Sequence, residues 1–116
     1  NRVSGGDRTQ HPEFAIARWA ASHLTVAERR AATVYTSGEH CAMCAAAHGW
    51  VGLGRIVYAA SSEQFAGWLA DWGVPASPVA PLPVRTVVPA AVVDGPCPEL
   101  ADRVRSLHAR RFGPDA

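Results

Sequence analysis

Residues 33–60 read TVYTSGEHCAMCAAAHGWVGLGRIVYAA, and this stretch sets the architecture. Residues 33–37 form a β-branched and aromatic run stopped by Gly38, which reads as a short strand. From Cys41 to Trp50 the alanine content favours a helix. Residues 55–60 are again a short apolar run suited to a strand. Strand, helix and strand in close succession make a βαβ unit, so the two strands should lie parallel.

Working outward, Pro12 suits the first position of a helix, where its missing N–H costs nothing. That helix runs through residue 22, with Phe14, Ala17, Ala21 and Leu24 expected on one inward face, and residues 25–30 add a short helical turn. Downstream, Ser61 with Gln64 three positions on forms a capping box that opens a further helix, closed by Gly73 and Pro75. Residues 75–83 carry four prolines and read as an extended connector, and residues 84–88 read as the last strand. Pro98 starts a closing helix to about Phe112, with Leu100, Val104 and Leu107 facing inward. Trp19, Trp68 and Trp72 fall on helices and are expected in the core, while His23 suits an exposed helix end. Alternating helices and strands imply a mostly parallel sheet covered by helices, in a single domain over residues 1–116.

The totals agree. A chain of 116 residues with 48% hydrophobic and 18% charged residues can bury one core and is not a disordered composition. A net charge of +1 gives no electrostatic case for a nucleic-acid or membrane partner. No long apolar run or signal-peptide pattern is present, so no membrane association and a cytoplasmic location are expected. Two of the three cysteines stand as Cys41-Ala-Met-Cys44, a spacing that points to metal or redox chemistry in such a protein.

The chemistry concentrates at two helix starts, with His11 and Glu13 at one and Cys41 and Cys44 at the other. Residues three apart share a helix face, so both sulfurs can reach one ion. A helix N-terminus favours thiolate over thiol. Two thiolates and an imidazole suit Zn²⁺, and three protein ligands leave a fourth position open for water. Glu13 is then placed to carry protons. A closed zinc knuckle using His40 or His48 as fourth ligand is the competing reading, but it leaves Glu13 without a role. A redox pair is disfavoured because no thioredoxin-like context surrounds it.

His11-Pro12-Glu13 followed by Cys41-Ala42-Met43-Cys44 resembles the His-x-Glu and Cys-x-x-Cys signature of the zinc-dependent cytidine deaminase superfamily. The gap of 28 positions from Glu13 to Cys41 is similar to that of guanine deaminases and bacterial tRNA adenosine deaminases. Residues 35–39 and 54–58 resemble guanine deaminases around the same motif, and the likeness covers roughly residues 1–58. It implies a three-layer α/β/α cytidine-deaminase-like fold with a mixed, mostly parallel sheet. It also implies zinc on His11, Cys41 and Cys44, with Glu13 as catalytic proton carrier. Substrate contacts are implied at Asn1, Pro12, Glu39 and Trp50.

The implied reaction is hydrolytic deamination of a small-molecule base or nucleoside with release of ammonia, guanine being the first candidate, in a homo-oligomer. The alternative is a nucleic-acid editor gripping RNA or DNA through Arg103, Arg105, Arg110 and Arg111 of the closing helix. A zinc-stabilised module without catalysis is a third reading. Relatives carry a helix and a β-hairpin before the segment matching Asn1, so the chain is expected to lack its N-terminal helix and hairpin. Two positions depart from the family pattern. His40 stands where proline usually precedes the first cysteine, and Pro12 stands between the histidine and glutamate. Pro12 has no N–H to offer a substrate carbonyl. His40 is expected as a loop residue near the metal, His48 as a packing residue on its helix, and Cys97, between two prolines, as a loop thiol.

Overall fold

Pro12 opens helix α1 (Pro12–His23), with His11 as its N-cap. The computed structural model describes residues 6–113. Helix α2 (Val26–Ala31) follows almost at once. Thr25 and Glu28 close a reciprocal capping box at its start. The Arg29 guanidinium donates back to the carbonyls of Ala20, Ala21 and Leu24, satisfying the free end of α1. Strand β1 (Val34–Gly38), helix α3 (Ala42–Val51) and strand β2 (Ile56–Ala60) then form the expected parallel unit, with Val34 opposite Ile56 and Gly38 opposite Ala60. Gly52 ends α3 in the left-handed region at φ 79°. Gly54 cannot carry a side chain, because a Cβ there would lie 2.4 Å from the carbonyl oxygens of both Arg30 and Ala32.

Helix α4 (Ser62–Asp71) begins at the predicted Ser61–Gln64 capping box. After the proline-rich connector the structure departs from expectation. Residues 84–88 are not a strand but hold the short helix α5 (Val84–Val87). The third strand is β3 (Val93–Asp94), paired parallel to β2 with Val93 opposite Ile56. The reason is packing: Val84 is fully buried in one cluster with Ala45, Ile56 and Tyr58, and a short apolar run serves a buried turn as well as a strand. Helix α6 (Pro98–Phe112) closes the chain as expected.

The fold is α/β, and the sheet order is β1-β2-β3 with all described strands parallel. One face of β2 packs Ile56 and Tyr58 against α3 and α5; Ala59 on the other face, with Ala60 at the strand end, clusters with Ala101 and Val104 of α6, with Trp68 of α4 alongside. That gives three layers, compatible with a cytidine-deaminase-like fold. Helix α1 lies against α3, outside the sheet.

The inward faces need correcting at several positions. On α1, Ala17 and Ala20 are buried, whereas Ala21, one step of 100° further round, is exposed. On α6, Ala101 and Val104 face the sheet while Leu100 and Leu107 are exposed, Leu107 at 60%. The alanine-lined sheet face brings α6 close, so the small residue turns inward and the leucines are displaced. Trp19 is 52% exposed and stacks on His23 at 4.8 Å. Trp68 and Trp72 are half-buried, Trp72 beneath the Arg105 guanidinium.

Candidate metal centre

Two helix N-termini converge on one point. Cys41 is the N-cap of α3 and Cys44 lies in its first turn, while His11 is the N-cap of α1 and Glu13 lies in its first turn. Small residues allow the two helices to approach, since the buried positions are Ala17 and Ala20 on α1 and Cys44, Ala45 and His48 on α3. The point of convergence sits just beyond the C-terminal end of β1, the edge where open α/β sheets place their ligands.

The ligand atoms of His11, Cys41 and Cys44 all lie within 4.8 Å of one another. His11 Nδ1 is 3.6 Å from Cys41 Sγ and 3.5 Å from Cys44 Sγ. Zinc bonds of ~2.3 Å to sulfur and ~2.0–2.1 Å to nitrogen, set at the tetrahedral angle, give nitrogen–sulfur edges of roughly 3.6 Å. The two nitrogen–sulfur edges therefore match those of a zinc tetrahedron, and the sulfurs lie within 4.8 Å of each other.

The electrostatics fit a cation. The Cys44 thiol donates to the Cys41 sulfur, and with the Cys44 backbone N–H and His11 this holds Cys41 at about 5, against the opposing effect of burial. Cys44 is pushed up because it keeps that shared proton, because it is desolvated, and because the charges of Cys41 and Glu13 lie beside it. The N–H of Phe14 also points at the Cys44 sulfur and favours its anion. Glu13 Oε2 is 3.9 Å from Cys44 Sγ, beside the donor set.

The other sequence candidates distribute unevenly. Asn1 lies outside the described residues. Pro12 is exposed at the mouth of α1. Trp50 is 91% exposed, six residues beyond Cys44 on α3. Glu39 has both carboxylate oxygens taken up inside the protein, accepting from the Ser62 N–H at 3.0 Å and the Val84 N–H at 2.8 Å. That engagement went unread in the sequence, because its partners lie 23 and 45 residues away.

His40 and His48 are both buried and meet edge to face at 5.4 Å. His48 Nε2 donates to the Gly54 carbonyl at 2.8 Å, which ties the end of α3 to the start of β2 and leaves the Nδ1 of each ring without a partner. Neither belongs to the metal-ligand group. Of the α6 arginines, Arg105 lies over Trp72 and Arg111 over Phe112. A cavity of about 470 Å³ is lined by Arg30, Thr33, His48, Leu53, Arg55 and Val92. It opens at the opposite, N-terminal ends of the strands and contains none of the ligand set.

The fold and site define an α/β protein with a His/Cys/Cys group able to hold a metal at paired helix N-termini. No protein-family model matches the chain. A curated relative, the "Probable cytosine deaminase" of Schizosaccharomyces pombe, is 42% identical over 66 residues, covering 55% of this chain. The match spans 38% of that relative's own length. This similarity and the ligand group together support the cytidine deaminase family. No helix of the described residues is long and apolar enough to cross a membrane.

Proposed function

We propose that the chain carries the zinc site of a hydrolytic deaminase acting on a free nucleobase or nucleoside, with Glu13 as its proton carrier. The observation that carries this reading is the spacing of His11 Nδ1 from the two sulfurs at 3.6 and 3.5 Å, with the Glu13 carboxylate beside them. Sequence resemblance around residues 35–39 favours guanine. The relative, with its own printed description, favours cytosine, and cytosine becomes the first substrate to test.

His11, Cys41 and Cys44 would hold zinc, which would supply a water acidified to near neutrality. Glu13 provides the remaining chemistry. Its carboxylate takes a proton as water adds to the amine-bearing ring carbon and delivers it to the neighbouring ring nitrogen, then takes the proton of the added hydroxyl and passes it to the amine as the C–N bond breaks. Water is consumed and ammonia released, so the amine becomes a carbonyl. Both helix N-termini face the site and favour the anionic sulfurs. Because Pro12 offers no N–H, the substrate carbonyl must be held by other groups.

The test is ammonia release from cytosine, guanine, cytidine and related bases, with wild type beside Glu13→Ala and zinc content measured in both. Release from one base, lost in Glu13→Ala with zinc retained, establishes the reading and names the substrate. A fully zinc-loaded chain that releases no ammonia from any small substrate overturns it.

A further inference from the structure

We infer that Glu39 is a positioning residue for the metal centre, holding Cys41 in place by fastening the loop before it to two distant helix starts. The inference rests on the reading of His11, Cys41 and Cys44 as the metal ligands.

A closed circuit of contacts carries it. The Glu39 N–H donates to the Ala60 carbonyl at 2.8 Å, fixing the end of β1 to the end of β2. Its side chain then accepts from the first amide of α4, at Ser62, and the first amide of α5, at Val84. The Val84 side chain is fully buried in one cluster with Ala45. The Ala45 N–H donates to the Cys41 carbonyl at 2.8 Å, the first hydrogen bond of α3. From Glu39 to Val84, to Ala45 and back to Cys41, the path encloses the two-residue step that sets the first sulfur.

A carboxylate suits the post because it has two acceptor oxygens and no donor, so it satisfies two N–H groups at once. At Ser62 its charge also meets the positive end of the ten-residue helix α4. Glutamine keeps one acceptor oxygen but turns an NH₂ toward the other amide. Alanine leaves both amides unpaired.

The test uses the whole chain and cobalt(II), whose visible spectrum reports tetrahedral thiolate ligation. Measurements are made well below each variant's Tm. Glu39→Ala is expected to raise the cobalt Kd at least tenfold and to alter the d–d bands, with Glu39→Gln in between. Val104→Ala, on the far face of the sheet, is the control for a comparable loss of Tm and should leave both readouts unchanged. The inference is overturned if Glu39→Gln and Glu39→Ala, or Glu39→Gln alone should the alanine variant not fold, bind cobalt within twofold of wild type with the same spectrum. It is equally overturned if Val104→Ala weakens cobalt as much as Glu39→Ala. A wild-type chain with no thiolate-to-cobalt absorption overturns the metal-site reading itself, and the inference with it.

Discussion

Cys41 is pushed down and Cys44 pushed up in the metal-free chain, and that inequality can be measured. With Cys41 held at about 5, its thiolate dominates at pH 6.5, whereas Cys44 is pushed up and stays protonated. Iodoacetamide at that pH is expected to alkylate Cys41 well ahead of Cys44 in peptide mapping, because the thiolate is the nucleophile. Zinc should protect both. Equal labelling of the two would show that the two thiols are not set apart in this way. Glu13 supports a second measurement at this scale. Positioned proton transfer contributes about 10²–10⁴-fold to rate, so Glu13→Gln should lower ammonia release by that order while zinc content is unchanged. A variant retaining near wild-type turnover would remove Glu13 from the reaction.

At the scale of elements, the metal centre depends on how closely α1 approaches α3, and that approach depends on alanine. Replacing Ala20 by leucine forces extra methyl groups into a buried seam, a change that costs about 1–3 kcal/mol. It should also draw His11 away from the sulfurs and weaken zinc binding. Ala21→Leu, at the exposed neighbour, should leave thermal unfolding and zinc affinity nearly unchanged. Comparable effects at both positions would contradict the observed face of α1. The same seam shows what the sequence could reveal. His11, Glu13, Cys41 and Cys44 were legible because their chemistry is unusual and their spacing local. The helix start at Pro12 and the Ser61–Gln64 box were legible because caps involve near neighbours. The inward faces of α1 and α6 were legible only in part, at Ala17 and Val104, since alanine is a weak hydrophobic marker and tertiary contact selects it over leucine. Val84 misled for a related reason: a buried turn and a strand use the same β-branched residues. Glu39 was invisible in its true contacts because both partners are backbone amides far along the chain.

For the molecule as a whole, three imidazoles, the buried pair His40 and His48 and the half-buried His108, all resist protonation. Burial, with His48 nearby, lowers His40 to about 4 from the ordinary 6.5. His48 is lowered by burial despite its carbonyl contacts. His108 lies against Phe65 at 4.5 Å and near Phe112, and is lowered by burial and by Arg111. In the unfolded chain these rings take up protons near 6.5, while the folded chain delays uptake to lower pH. Below 6.5 the unfolded state therefore binds more protons, and stability must fall as pH decreases. Each such ring contributes up to about 1.4 kcal/mol per pH unit across its displaced interval. The depressed Cys41 thiolate acts in the same direction as pH falls from 9.0 toward about 5, so a slope by itself does not isolate the imidazoles. Comparison with a variant does. Urea unfolding of metal-free wild type and His108→Gln between pH 7.5 and 5 shares every other group, including the exposed carboxylates Asp7 and Glu28, which are lowered from 3.8 and 4.5 and so titrate below this window. Wild type should lose stability more steeply than His108→Gln below pH 6.5, and the two should run parallel above it. Parallel curves throughout would mean that α6 docks without desolvating His108, and the packing of Phe65, Trp68 and Phe112 around that ring would have to be looser than it stands.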